Sequence, residues 1–185
     1  MSVTELLGWH GNEFYFLATE EAAPSQSHVY RADLKSKVSQ CVSCSWINSR
    51  GETCSRASAD FSERLSYFIS RCESRFLPPE FNLTHTETMS PIRTLANNTE
   101  AFHGISSLQL PLQVDFRIPV SDADRNSAEV RLLLPPGFSS KQKYPLLVTV
   151  YAAPDYQSVT DTYTGVDFGI FVSSGLNYIH ASIDG

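Results

Sequence analysis

Tyr151 is the residue whose type and position in this 185-residue chain could most directly do chemistry. It closes the run Lys143-Tyr144-Pro145-Leu146-Leu147-Val148-Thr149-Val150-Tyr151-Ala152-Ala153-Pro154, whose apolar, β-branched centre between prolines reads as a buried strand. In open α/β sheets the C-terminal ends of strands are where ligands and chemistry collect. A phenol held there places a hydroxyl at that end. By residue type alone, a core aromatic with its hydroxyl at the sheet rim is the commoner use.

Acyl transfer needs a nucleophile and a base. A nucleophilic serine sits on a sharp strand–turn–helix elbow with flanking glycines, and the sequence contains no G-x-S-x-G. His180, Ser182 and Asp184 are close together, but they alternate along one strand and read as ordinary strand residues. His10, His28, His85 and His103 stand apart in loops or at strand edges, without metal-ligand spacing. Glu20 and Glu21 read as a solvated loop. No metal or other cofactor is expected.

Four cysteines carry a different chemistry. Cys41 and Cys44 form a C-x-x-C, whereas Cys54 and Cys72 are 18 apart. Four-cysteine zinc sites present two short pairs, and Cys54/Cys72 is not one. The C-x-x-C lies in a Ser/Asn-rich loop and not at the start of a helix in a βαβ unit, as a redox pair would. Disulfides are the favoured reading, with zinc or free thiols as the alternatives. Closing a loop the size of 54–72 contributes on the order of 3 kcal/mol. Two N-glycosylation acceptors, Asn82-Leu83-Thr84 and Asn97-Asn98-Thr99, point with the cysteines to an oxidising, secretory setting.

The elements that must position these residues fall into two parts. Residues 1–100 read as short strands with polar turns. Strands at 5–9, 13–19, 28–34 and 37–41 make one four-stranded unit, with a polar loop holding Pro24 and Ser25. Strands at 55–60, 66–72, 80–86 and 91–95 make a second, with a tight turn over Phe61–Arg64. A repeat of about 45–50 residues is the size of a propeller blade. Two blades cannot close a ring, and open edges are aggregation templates, so a piece of a larger propeller is expected.

Residues 101–111 read as a linker, with a helix start at Asn97–Glu100 and a weak amphipathic signal over Ser106–Leu110. From 112 to 185 the order is strand, strand, strand, helix, strand. The helix over 166–174 places Val166, Ile170 and Phe171 on one face and stops at Gly175; the last strand covers 176–183. That order opens an α/β-hydrolase-like sheet. The expected fold is therefore mixed: about two propeller blades, then the N-terminal part of an α/β-hydrolase domain.

Bulk properties exclude several classes. A hydrophobic fraction of 42% suits a packed core, and a net charge of −6 gives no footprint for nucleic acid. Residues 1–9 lack the basic and apolar regions of a signal peptide. The longest apolar run is too short to span a bilayer, so membrane attachment would need a segment not present here.

Leu134-Pro135-Pro136-Gly137-Phe138, Lys143-Tyr144-Pro145-Leu146-Leu147, Val150-Tyr151-Ala152-Ala153-Pro154 and Ala181-Ser182-Ile183-Asp184-Gly185 together resemble the dipeptidyl peptidase IV group of the prolyl oligopeptidase family. Upstream, Cys41-Val42-Ser43-Cys44, the Cys54/Cys72 spacing and Ala59-Asp60-Phe61-Ser62 resemble that group's last propeller blades. The resemblance covers essentially the whole chain. It implies a serine-type dipeptidyl peptidase that removes X-Pro or X-Ala dipeptides from peptide N-termini, with Tyr151 as an oxyanion donor. It also implies a type II membrane ectodomain or secreted protein, a peptide substrate and a homodimer. The family order places serine, aspartate and histidine after this point, so the chain alone is expected to be inactive. One departure is Ala153, where the family usually has glycine. The alternatives are a non-catalytic ectodomain serving as a membrane-protein partner, or a truncated product with no function of its own.

Overall fold

The computed structural model describes residues 1–120, 127–151, 153 and 156–184. Ala152, Pro154, Asp155 and Gly185, which the motifs above include or adjoin, lie outside them. The chain divides into two compact units: Met1–Phe102 with Asp161–Tyr163, and His103–Thr160 with Thr164–Gly185.

The first unit holds β1 (Ser2–His10), β2 (Glu13–Glu20), β3 (Ala23–Asp33) and β4 (Val38–Cys41), then β5 (Arg56–Phe61), β6 (Tyr67–Ser74), β7 (Leu77–His85) and β8 (Ser90–Ala96). Each set of four is an antiparallel meander, the form of a propeller blade. A single parallel pairing, Ser27 with Arg56, joins them. No closed ring forms among the described residues.

Alternation along β2 explains its burial on both faces. Tyr15 and Leu17 point into a cluster with Val29, Ala59 and Phe68, while Phe16 and Ala18 join Tyr30 on the other side. Aromatic rings make the first cluster continuous: Tyr15 lies 4.5 Å from Phe61, Phe61 5.0 Å from Phe68, and Trp46 stacks on Phe68 at 5.8 Å.

Two turns differ from expectation. Pro24 and Ser25 lie inside β3, because the reversal is made by Glu21 and Ala22 alone. The ladder jumps from Ala18↔His28 to Glu20↔Ala23, and in that irregular stretch Pro24 need not supply an N–H. The 61–64 turn also shifts: Phe61 still pairs with Phe68, so the reversal runs from Ser62 to Ser66.

α1 (Thr99–Ser106) lies N-terminal to the amphipathic signal expected over Ser106–Leu110. The Asn97 side-chain oxygen accepts from the Thr99 backbone N–H at 3.3 Å and from its hydroxyl at 2.8 Å. These bonds fix the chain where the helix begins.

The second unit contains β9 (Leu112–Pro119), β10 (Ser127–Leu134), β11 (Leu146–Tyr151) and β12 (Ile179–Asp184), in the sheet order β11-β12-β10-β9. β11 and β12 are parallel; the other pairs are antiparallel. Between the parallel strands lie α2 (Phe168–Ile170) and a π-helical turn over Phe171–Gly175.

The expected helical face is only partly kept, because α2 begins at Phe168, after Val166, and the turn from Phe171 onward is π-helical. Ile170 is buried as expected, but Val166 and Phe171 are exposed, and Val172 and Ser173 are buried in their place. The left-handed stop falls at Asn177, with φ 61°, not at Gly175. The helical segment therefore runs on through Leu176, and the last strand starts only at Ile179.

β11 also departs from expectation, because it is largely exposed: Leu146, Val148, Val150 and Tyr151 are 59, 45, 58 and 54% accessible. Among the described residues it pairs along one edge only, with β12. An apolar run specifies a strand that suits burial; its cover must come from elsewhere in the tertiary structure.

Candidate functional site

Tyr151 is the last residue of β11 and lies opposite Asp184, the last residue of β12. The two parallel strands thus deliver a phenol and a carboxylate to the same C-terminal edge. The Tyr151 ring meets Tyr156 edge-on, with centroids 4.5 Å apart.

Asp184 accepts from the backbone N–H groups of Ser158 and Val159 at 2.7 and 3.1 Å, and from the Ser158 hydroxyl. It therefore fastens the segment after β11 to the end of β12. His180 is buried and meets the Thr149 hydroxyl at 3.1 Å, tying the middle of β12 to β11. His180 and Asp184 thus act in separate local contacts. The three residues that alternate along β12 do not converge on one site.

The helical segment is held against this sheet. Ser173, fully buried, donates to the Leu133 carbonyl at 3.0 Å. On β10, Arg131 donates to both carboxylate oxygens of Asp115 at 2.8 and 2.7 Å, and also to the Thr160 carbonyl. Paired, fork-like contacts of this kind fix geometry as well as charge.

In the first unit Cys41 is bonded to Cys44, and Cys54 to Cys72. The second pair is buried beneath Trp46 with Ala57. The first lies at the surface, with Cys44 exposed. His28, read as isolated in the sequence, is buried beside that surface pair. One ring nitrogen and the two sulfurs all lie within 4.8 Å of one another. The antiparallel pairing of Tyr30 with Cys41 brings them together, and a spacing of 13 residues gives no sign of it.

Of the two acceptor asparagines, Asn97 is exposed. Asn82 is half-buried on β7 and bridges strands: its side-chain nitrogen donates to Glu80 at 3.0 Å and its oxygen accepts from Thr94 at 2.7 Å. Glu20, read as a solvated loop residue, ends β2 and accepts from the Tyr30 hydroxyl at 2.6 Å.

The profile of the dipeptidyl peptidase IV (DPP IV) N-terminal region matches residues 1–79. Dipeptidyl peptidase 4 of Sus scrofa is 31% identical over 92% of this chain, and venom dipeptidyl peptidase 4 of Vespa velutina is 29% identical over 95%. A crystal structure of Porphyromonas gingivalis dipeptidyl peptidase 4 superposes on 99% of the chain with a TM-score of 0.81 at 22% identity. The chain belongs to the dipeptidyl peptidase IV group. It spans 22% of the length of these two curated relatives and 24% of the superposed one.

Proposed function

We propose that this chain is part of a serine-type dipeptidyl peptidase that releases X-Pro or X-Ala dipeptides from peptide N-termini. In this reading residues 1–100 are the last propeller blades, 101–111 a linker and 112–185 the start of the α/β-hydrolase domain. The observation that carries it is the position of Tyr151 at the C-terminal end of β11, parallel to β12. That is the edge where such hydrolases recruit an oxyanion donor.

Tyr151 then donates its hydroxyl to the carbonyl oxygen as a serine attacks, an interaction that strengthens as negative charge develops. The 185 residues hold neither the nucleophile elbow nor its base, so they do not catalyse acyl transfer by themselves. The chain works at the cell surface or in secretions, with peptides as substrates and a second copy as partner, and Asn82 and Asn97 carry the glycans. Asn97 is the more accessible acceptor.

In the full-length protein, Tyr151→Phe lowers kcat on a Gly-Pro substrate by roughly 10²–10³-fold and changes substrate binding much less. An unchanged kcat removes Tyr151 from the oxyanion role. Ala153 supports a second reading, a non-catalytic ectodomain that binds a membrane protein. An active-site serine titrant separates the two: labelling of the full-length protein identifies the peptidase, and absence of labelling with retained folding identifies the binding partner.

A further inference from the structure

We propose that Cys41, Cys44 and His28, once the Cys41–Cys44 bond is reduced, form a three-ligand site for a thiophilic divalent cation such as zinc. In zinc sites, sulfur sits at about 2.3 Å and imidazole nitrogen at about 2.0 Å from the ion. Three donors within 4.8 Å of one another are therefore within reach of one ion after small side-chain rotations. The fourth position is open to water.

The surroundings favour the thiolate of Cys41 and hold the ring of His28. The Cys44 backbone N–H points at the Cys41 sulfur at 3.0 Å, and a donor placed there stabilises a thiolate. His28 is buried, and it is the neutral ring that ligates a metal. His28 Nδ1 lies 3.2 Å from the hydroxyl oxygen of Ser43, which also accepts from the Val29 N–H at 2.8 Å. That contact holds the ring in place.

The two disulfides differ in access and in loop size. Cys44 is exposed, whereas Cys54 and Cys72 are 3 and 4% accessible. Residues 41 and 44 close a loop with a separation of 3, against 18 for the buried pair, so chain entropy protects the surface bond least. A dithiol reductant opens it in two steps. Its first thiolate attacks the Cys44 sulfur, the S–S bond breaks, and Cys41 leaves as a thiolate. Its second thiolate then attacks the mixed disulfide and releases Cys44. The reductant leaves as a cyclic disulfide, having given two electrons to the pair.

The test treats the full-length protein with a limiting dithiol under argon, maps the thiols by alkylation, and titrates with cobalt(II). We expect Cys41 and Cys44 to be alkylated before Cys54 and Cys72, and cobalt to bind with a thiolate-to-metal charge-transfer band. That band is absent from Cys41→Ser/Cys44→Ser. His28→Asn weakens cobalt binding by about tenfold or more, and Ser43→Ala by about 10–100-fold. X-ray absorption of the zinc-loaded, unmutated protein shows a shell of two sulfurs and one imidazole nitrogen, a readout that needs no variant. Alkylation of the buried pair first, absence of the band, or a zinc shell without imidazole overturns the proposal.

Discussion

A methyl group added at Gly169 would stand 2.9 Å from Nδ1 of His180 and 3.1 Å from a methyl of Leu133. Glycine at this point lets the helical segment lie directly on the ring that links β12 to β11 through Thr149. The alignment of the strand that ends in Tyr151 thus depends on a missing side chain in the helical segment that follows it.

Gly169→Ala is expected to destabilise the protein by about 1–3 kcal/mol, since it forces either the ring or the helical turn to move. Gly104, exposed in α1, has no atom within 4 Å of where a methyl group would stand, and Gly104→Ala should stabilise by up to about 1 kcal/mol through helix propensity. Denaturant midpoints of both variants check this. Equal midpoints for the two would refute the contact argument.

Glu80 gives an acid-side dependence. Burial alone would raise its carboxyl, but hydrogen bonds from Asn82 and from the side chain and backbone of Ser49, with the Arg50 charge, hold it below the usual carboxylate range. The Ser49 hydroxyl lies 2.5 Å away. A lowered folded-state pKa means that the unfolded chain binds the proton more readily, so this stability is present above the unfolded-state value and is lost as pH falls through the folded one. Glu80→Gln should flatten the acid limb of a stability–pH curve. An unchanged limb would assign that dependence to other carboxylates.

Tyr30 gives the opposite sign. Burial first, then the hydrogen bond and charge of Glu20, push its phenol from 10.0 up to about 12. The folded state keeps the proton longer than the unfolded chain does, so this contribution is complete below about 10 and disappears as pH rises towards about 12. Tyr30→Phe should remove the corresponding loss of stability over that window, read by alkaline unfolding. A curve matching that of the unmutated protein would show that Tyr30 is not its source.

Removing the buried disulfide should cost far more than removing the surface one. Cys54→Ala/Cys72→Ala is expected to lose on the order of 3 kcal/mol, with a further cost from the space left under Trp46. Cys41→Ala/Cys44→Ala loses less, because its loop is short. Thermal midpoints of the two double variants, measured side by side, test the order, and a reversed order would overturn the loop-size and burial argument.

Much of the architecture was legible in the residues. All eight strands of the first unit lie close to where alternation and turn residues put them, because a half-buried strand must repeat every two positions whatever its partners. The misplacements share one origin. Pro24 lies in a strand because the β2–β3 ladder is irregular at that point, and Gly175 fails as a stop because the left-handed residue that ends the π turn is Asn177. Both depend on pairing or packing with residues outside the local segment.

The sequence by itself determined the strand periods, the cysteine spacings and the phenol at the end of an apolar run, because these follow from local stereochemistry and residue type. Only the tertiary structure decided that β12 enters between β10 and β11, that Tyr151 stands opposite Asp184, and that His28 lies beside Cys41 and Cys44. Those are facts of register between segments far apart along the chain, and strand register is set by which faces can be buried together, a property that no single segment possesses.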